Sequence, residues 1–74
     1  MPYFENADLP ERIRKVLPAH AQRIYRKAFN NAWKQYADPA KRKRGGSREE
    51  VANRVAWAAV KRVYEKKGMR WVKK

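Results

Sequence analysis

PAHAQRIYRKAFNNAWKQYA, residues 18–37, is the stretch of sequence that decides the fold. Its apolar side chains recur every three or four residues over four turns, which predicts an amphipathic helix. They are Ala21, Ile24, Tyr25, Ala28, Phe29, Ala32, Trp33 and Tyr36. A basic series has the same period on the opposite face, and the stretch contains no aspartate or glutamate. The apolar series is needed for the core, so the basic series raises the question of function.

Upstream of this helix, ENADLPERIRKVLP predicts a short first helix. Asp8 suits the N-cap position, because Glu11 follows three residues later as the partner of a capping box. Pro18 disfavours helical geometry at Leu17, so the first helix should end there.

Downstream, Ser47 and Glu50 form an S-x-x-E capping box directly before renewed apolar periodicity. This pattern predicts a third helix from Ser47, with Gly68 as the C′ residue that ends it. The matched periods of the two long helices predict a core that includes Ile24, Phe29, Trp33, Val55, Ala59 and Val63.

The predicted fold is all-α: a three-helix domain with one short and two long helices, occupying residues 1–74 as a single unit. A basic internal loop at 38–46 joins the long helices, since its proline, glycines and consecutive cations suit neither helix nor strand. The apolar tail after Gly68 could also form a short β pairing with Tyr3–Phe4 at the other end.

Charge limits the classes of partner. Twenty Lys and Arg residues against seven Asp and Glu give a formal net charge of +13, which favours polyanions or acidic protein surfaces. There are no cysteines and no secretory leader, so we expect a cytoplasmic location. The helices use their apolar faces for the core, so insertion into a membrane is not expected.

Catalysis is not expected. The sequence contains no nucleophile–base pair, carboxylate pair or glycine-rich phosphate loop. His20 is the only histidine and lacks the partners that a metal site needs, so local hydrogen bonding at a helix start is its better interpretation. We therefore expect a protein that is not an enzyme and has no metal or cofactor.

The candidate site is a surface whose charged side chains are all positive. It comprises Arg23, Arg26, Lys27 and Lys34 on the second helix, with Lys41, Arg42, Lys43 and Arg44 in the loop. Cations without neighbouring acids repel one another, and the phosphates of duplex DNA would relieve that repulsion in a sequence-tolerant way. Asn30 beside them could read adenine or could bond to neighbouring backbone.

Four pieces carry a family resemblance: MPY at the N-terminus, DLPERIRKVLPAHAQRIYRKAFNNAWKQY, SREEVANRVAWAAVKRVYEKKG and the final Trp71. In this order and spacing the chain resembles the ChaB family over nearly its whole length. The resemblance implies a small, mostly helical domain that regulates a cation (sodium/calcium–proton) antiporter, and DNA binding has been proposed for viral members. The alternative to nucleic-acid binding is thus contact with an acidic surface of a cation transporter.

Overall fold

The computed structural model describes residues 3–38, 40 and 47–74. A 3-10 turn at Asn6–Asp8 and a one-turn helix α1 (Glu11–Arg14) precede the two long helices, α2 (Ala19–Gln35) and α3 (Arg48–Val63). Two short strands, β1 (Tyr64–Lys67) and β2 (Arg70–Lys73), follow α3. The predicted class is confirmed: the described chain is mostly helical, with one short and two long helices and a short β pairing. No helix among these residues is long and apolar enough to cross a bilayer.

The core lies between α2 and α3 and is closed by the segment that contains α1. Its buried residues are Leu9, Ile13, Leu17, Ala21, Tyr25, Phe29, Ala32, Ala52, Ala56, Val60 and Tyr64. Of the predicted core, Phe29 is fully buried, whereas the other five residues are only half-buried. Alanines supply half of the buried positions of each long helix, Ala21 and Ala32 on α2 and Ala52 and Ala56 on α3.

The helix ends agree with the sequence in one case and differ in another. Ser47 caps α3 as predicted, because its Oγ accepts the Glu50 N–H at 3.1 Å. The capping role predicted for Asp8 is wrong. Its Oδ2 accepts the N–H groups of Phe4 and Glu5 at 3.2 and 3.0 Å, which closes the 3-10 turn. Pro10 then occupies the N-cap position of α1 without a side-chain cap.

The end of α3 also differs from the prediction. The helix ends at Val63, and Tyr64 is already extended, with φ −121° and ψ 154°. Gly68 therefore does not end a helix. It is the first residue of the two-residue connection between β1 and β2. Its φ of +61° is the value expected at the first position of a type II′ turn. The strands pair antiparallel with each other, so the β partner of the tail is the segment after α3, not the N-terminus.

Candidate binding surface

Helix α2 presents three exposed cations on the side away from the core. Arg23, Lys27 and Lys34 are all exposed, and at 100° per residue they lie within an arc of about 40°. The buried Tyr25 and Phe29 point to the other side of the helix. We call Arg23, Lys27 and Lys34 the α2 basic face. It extends about 16 Å along the helix axis, given a rise of 1.5 Å per residue.

Arg26 lies about 60° outside that arc and is engaged in the fold. Its Nε donates to Asn6 Oδ1 at 3.1 Å, and its Nη1 donates to the Phe4 carbonyl at 2.8 Å. The guanidinium therefore ties the N-terminal segment to α2. Of the four predicted site residues on this helix, the structure brings three together on a free surface and gives Arg26 a structural contact.

Asn30 is also used by the fold. Its Oδ1 accepts the Tyr3 N–H at 2.8 Å, and its Nδ2 donates to the Tyr3 carbonyl at 2.7 Å. This pair of bonds satisfies both backbone groups of Tyr3, whose ring packs on Phe29 with centroids 4.9 Å apart. Of the two roles left open by the sequence, the structure supports the backbone partner.

The other predicted cations, Lys41, Arg42, Lys43 and Arg44, lie outside the described residues. Their membership of one surface with the α2 basic face stays a prediction. Among the described residues the ion pairs join Lys15 to Glu11 at 3.8 Å and Lys67 to Glu65 at 3.5 Å. Neither pair includes α2, so no carboxylate of the described residues is paired with its basic face.

A cleft of about 170 Å³ lies between the N-terminal segment and α3. It is lined by Tyr3, Pro10, Arg12, Tyr25, Phe29, Glu49, Glu50 and Asn53. Burial, with the nearby Tyr3 hydroxyl second, raises the pKa of Tyr25 to about 12. The Tyr25 hydroxyl donates to Asn53 Oδ1. The raised pKa keeps this hydroxyl protonated at neutral pH, and its hydrogen bond joins α2 to α3.

Comparison with known proteins identifies the family. The ChaB family model matches residues 9–74. Proteins named "Putative cation transport regulator ChaB" from Escherichia coli K12 and Shigella flexneri are each 58% identical to the chain over 66 residues, which cover 89% of this chain and 87% of the relative. This chain belongs to the ChaB family.

The ChaB fold is shared as well as the sequence. A solved structure described as "NMR solution structure of the putative cation transport regulator ChaB" matches with a TM-score of 0.82 and 54% identity. The match covers 99% of each chain. The family resemblance drawn from the sequence is thereby confirmed over nearly the whole chain.

Sequence reasoning also missed the structural contact that Arg48 makes in this ChaB chain. Arg48 opens α3, yet its guanidinium lies 4.1 Å from the centre of the Trp33 ring and its Nε donates to the Trp33 carbonyl at 2.6 Å. The contact joins the end of α2 to the start of α3. A cation at a helix N-terminus opposes the helix dipole, and that local mismatch was the available signal for a tertiary role.

His20 makes a long-range contact, not the local one expected. Its Nδ1 lies 3.1 Å from the Tyr64 hydroxyl, and the two rings meet edge to face. The contact places the first turn of α2 against the start of the β-hairpin.

Proposed function

We propose that this ChaB-family chain regulates a membrane cation transporter by placing its α2 basic face on an acidic protein surface, on the cytoplasmic side. The proposal rests on one observation: Arg23, Lys27 and Lys34 form an exposed, one-signed face free of carboxylate partners among the described residues. The names of its relatives favour a transporter as the target. The chain would act by binding, without catalysis.

Charge makes an acidic partner favourable for two reasons. The cations of α2 repel one another in the free chain, and opposing carboxylates would relieve that repulsion. Complementary potentials also steer the two proteins together, so the association rate should fall as salt rises. An interface dominated by exposed charges gains specificity and association rate more than affinity, which suits a reversible regulator.

The test uses a sodium/calcium–proton antiporter, the class implied by the family resemblance, reconstituted in proteoliposomes. Adding the chain to the cytoplasmic face should change the rate of cation–proton exchange. The triple substitution Arg23→Gln, Lys27→Gln and Lys34→Gln should abolish that change, because glutamine keeps the helix propensity while it removes the charge.

The matched control removes three exposed cations from α3, Arg54→Gln, Lys61→Gln and Arg62→Gln, which gives the same net charge. This control should keep most of the effect on exchange. An unchanged exchange rate with the parent chain would contradict the proposal, as would equal losses in both triple variants.

Sequence-tolerant binding to duplex DNA stays a prediction, and it uses the same face together with the loop cations Lys41, Arg42, Lys43 and Arg44. A titration of the chain with duplex DNA at several salt concentrations tests this prediction. If about six phosphates are neutralised, the slope of log affinity against log salt should be near −5. Absence of duplex binding at low salt would remove the nucleic-acid reading and leave the transporter as the proposed partner.

A further inference from the structure

The tip of the β-hairpin exposes an apolar side chain in a fixed position. Met69 is 89% exposed. It occupies the second position of the two-residue turn, between the paired residues Lys67 and Arg70. Gly68 supplies the positive φ that this turn requires. Met69 is therefore held at the outermost point of an antiparallel pair of strands.

The hairpin is attached firmly to the helices. Tyr64 at its base is buried and lies within hydrogen-bond distance of His20. Trp71 packs on Trp57 of α3, with ring centroids 5.3 Å apart. The Lys74 N–H donates to the Val63 carbonyl at 2.9 Å, which ties the end of β2 to the end of α3. These contacts fix the direction in which the tip projects.

Basic side chains predominate in the hairpin, and Lys67 and Arg70 flank the turn that carries Met69. Residues 64–74 carry five basic side chains and one acidic side chain, a net charge of +4. The basic residues are Lys66, Lys67, Arg70, Lys73 and Lys74, and all five are exposed. The single carboxylate, Glu65, pairs with Lys67 at 3.5 Å. The tip thus combines one apolar side chain in the turn with three exposed cations, Lys66, Lys67 and Arg70, in the strand residues next to it.

We propose that this hairpin tip binds the surface of an anionic lipid bilayer. Met69 would enter the boundary between headgroups and acyl chains, while Lys66, Lys67 and Arg70 contact the anionic headgroups. Long basic side chains can keep their charge among the headgroups while their methylene groups lie against apolar surface. A polyanion without an apolar layer, such as duplex DNA, would satisfy the cations but leave Met69 in water. The inference goes beyond the proposed function and uses different residues. It departs from the expectation of no membrane insertion, which was argued from the helices alone, because Met69 lies in the turn between the strands.

The first test measures binding of the full chain to phosphatidylcholine vesicles with and without phosphatidylserine. Binding should require phosphatidylserine and weaken as salt rises, because the contact begins with charge. Met69→Ser should weaken it by about tenfold, since the apolar contribution is lost. Phe4→Ser removes an apolar side chain that is 84% exposed in another segment, and this control should bind like the parent.

A pair of charge-matched variants tests the position of the surface. Lys66→Gln, Lys67→Gln and Arg70→Gln should together weaken vesicle binding by about a hundredfold, at roughly fivefold for each cation. Arg23→Gln, Lys27→Gln and Lys34→Gln give the same net charge and should cost much less. Equal losses of vesicle binding in the two triple variants would show that overall charge attracts the chain to the vesicles, and they would overturn the proposal. Circular dichroism spectra like that of the parent would show that both variants fold.

Insertion is read directly from a Met69→Trp variant in vesicles whose acyl chains carry bromine. Quenching of its added fluorescence, beyond that of the parent tryptophans, is expected if the tip enters the boundary region. No added quenching would overturn the proposal. The proposal would also be overturned if the chain bound duplex DNA through the hairpin cations but did not bind anionic vesicles. That result would assign the surface to nucleic acid. The α2 triple variant separates this result from failure of the transporter proposal, since that proposal depends on the other face.

Discussion

At the scale of single residues, Arg26 and Asn30 stabilise the fold through hydrogen bonds to the N-terminal segment. Both belong by position to the polar side of α2, and the sequence assigns Arg26 to a free basic surface while it leaves a backbone partner open for Asn30. Their bonds satisfy the backbone of Tyr3 and the carbonyl of Phe4, which helix formation alone leaves without partners. The charge pattern could predict the exposed Arg23, Lys27 and Lys34, but it could not predict which neighbour is engaged by a segment more than 20 residues away.

Tyr25 gives a residue-scale prediction about pH. Its pKa is raised to about 12 in the folded chain, against about 10 in an unfolded chain. Between these values the unfolded state binds fewer protons than the folded state, so the free energy of unfolding falls as pH rises. This loss should reach about 1 kcal/mol by pH 11. Urea unfolding from pH 8 to 11, followed by circular dichroism, measures it.

The control for this measurement is Tyr25→Phe. The variant should be less stable than the parent at pH 8, because Asn53 loses its hydrogen-bond partner. The difference in free energy of unfolding between the two proteins should shrink toward pH 11, because only the parent has the Tyr25 hydroxyl. Lysines and the other tyrosines titrate in both proteins and leave that difference unchanged. A gap that stays constant from pH 8 to 11 would contradict a raised Tyr25 pKa.

At the scale of elements, the long helices could be predicted because their signals are local. Apolar periodicity gives α2 and α3, and the capping box gives the start of α3. The hairpin could not be predicted in the same way, because Glu65, Lys66 and Lys67 are good helix formers. Extended geometry prevails there through burial of Tyr64 and the contact of Trp71 with Trp57, both of which depend on the tertiary fold.

The N-cap of α3 gives the element-scale prediction. Ser47→Ala removes the acceptor for the Glu50 N–H and should lower the free energy of unfolding by about 0.5–2 kcal/mol. Ser47→Asp keeps an acceptor oxygen and adds a charge favoured by the helix dipole, so it should be at least as stable as the parent. Thermal melts of the three proteins decide the matter, and an alanine variant as stable as the parent would contradict the energetic role of the cap.

At the scale of the whole molecule, some charged side chains have partners within the fold, and others are exposed without one among the described residues. Near the N-terminus, Asp8 closes a turn and Glu11 pairs with Lys15, so the few acids are used locally. The exposed cations of α2 and of the hairpin tip have little local compensation among the described residues. The sequence could predict the positive field and its helical face. It could not predict the second basic surface, because that surface exists only once the hairpin has formed.

This excess of positive charge should make the stability of the parent depend on salt. Raising the salt concentration from about 10 to 150 mM shortens the screening length from about 30 to 8 Å. Screening should raise Tm, because repulsion among the exposed cations weakens. The double variant Arg23→Gln and Lys27→Gln removes the Arg23–Lys27 repulsion at i,i+4, about 0.5 kcal/mol, without loss of helix propensity, and it keeps Lys34, which the helix dipole stabilises in the last turn of α2. Its Tm at low salt should therefore exceed that of the parent by roughly 2–4 °C, and the difference should shrink as salt rises. A variant that melts below the parent at low salt would mean that these cations are stabilised by groups of the chain itself, and the α2 basic face would then not be free for an acidic partner.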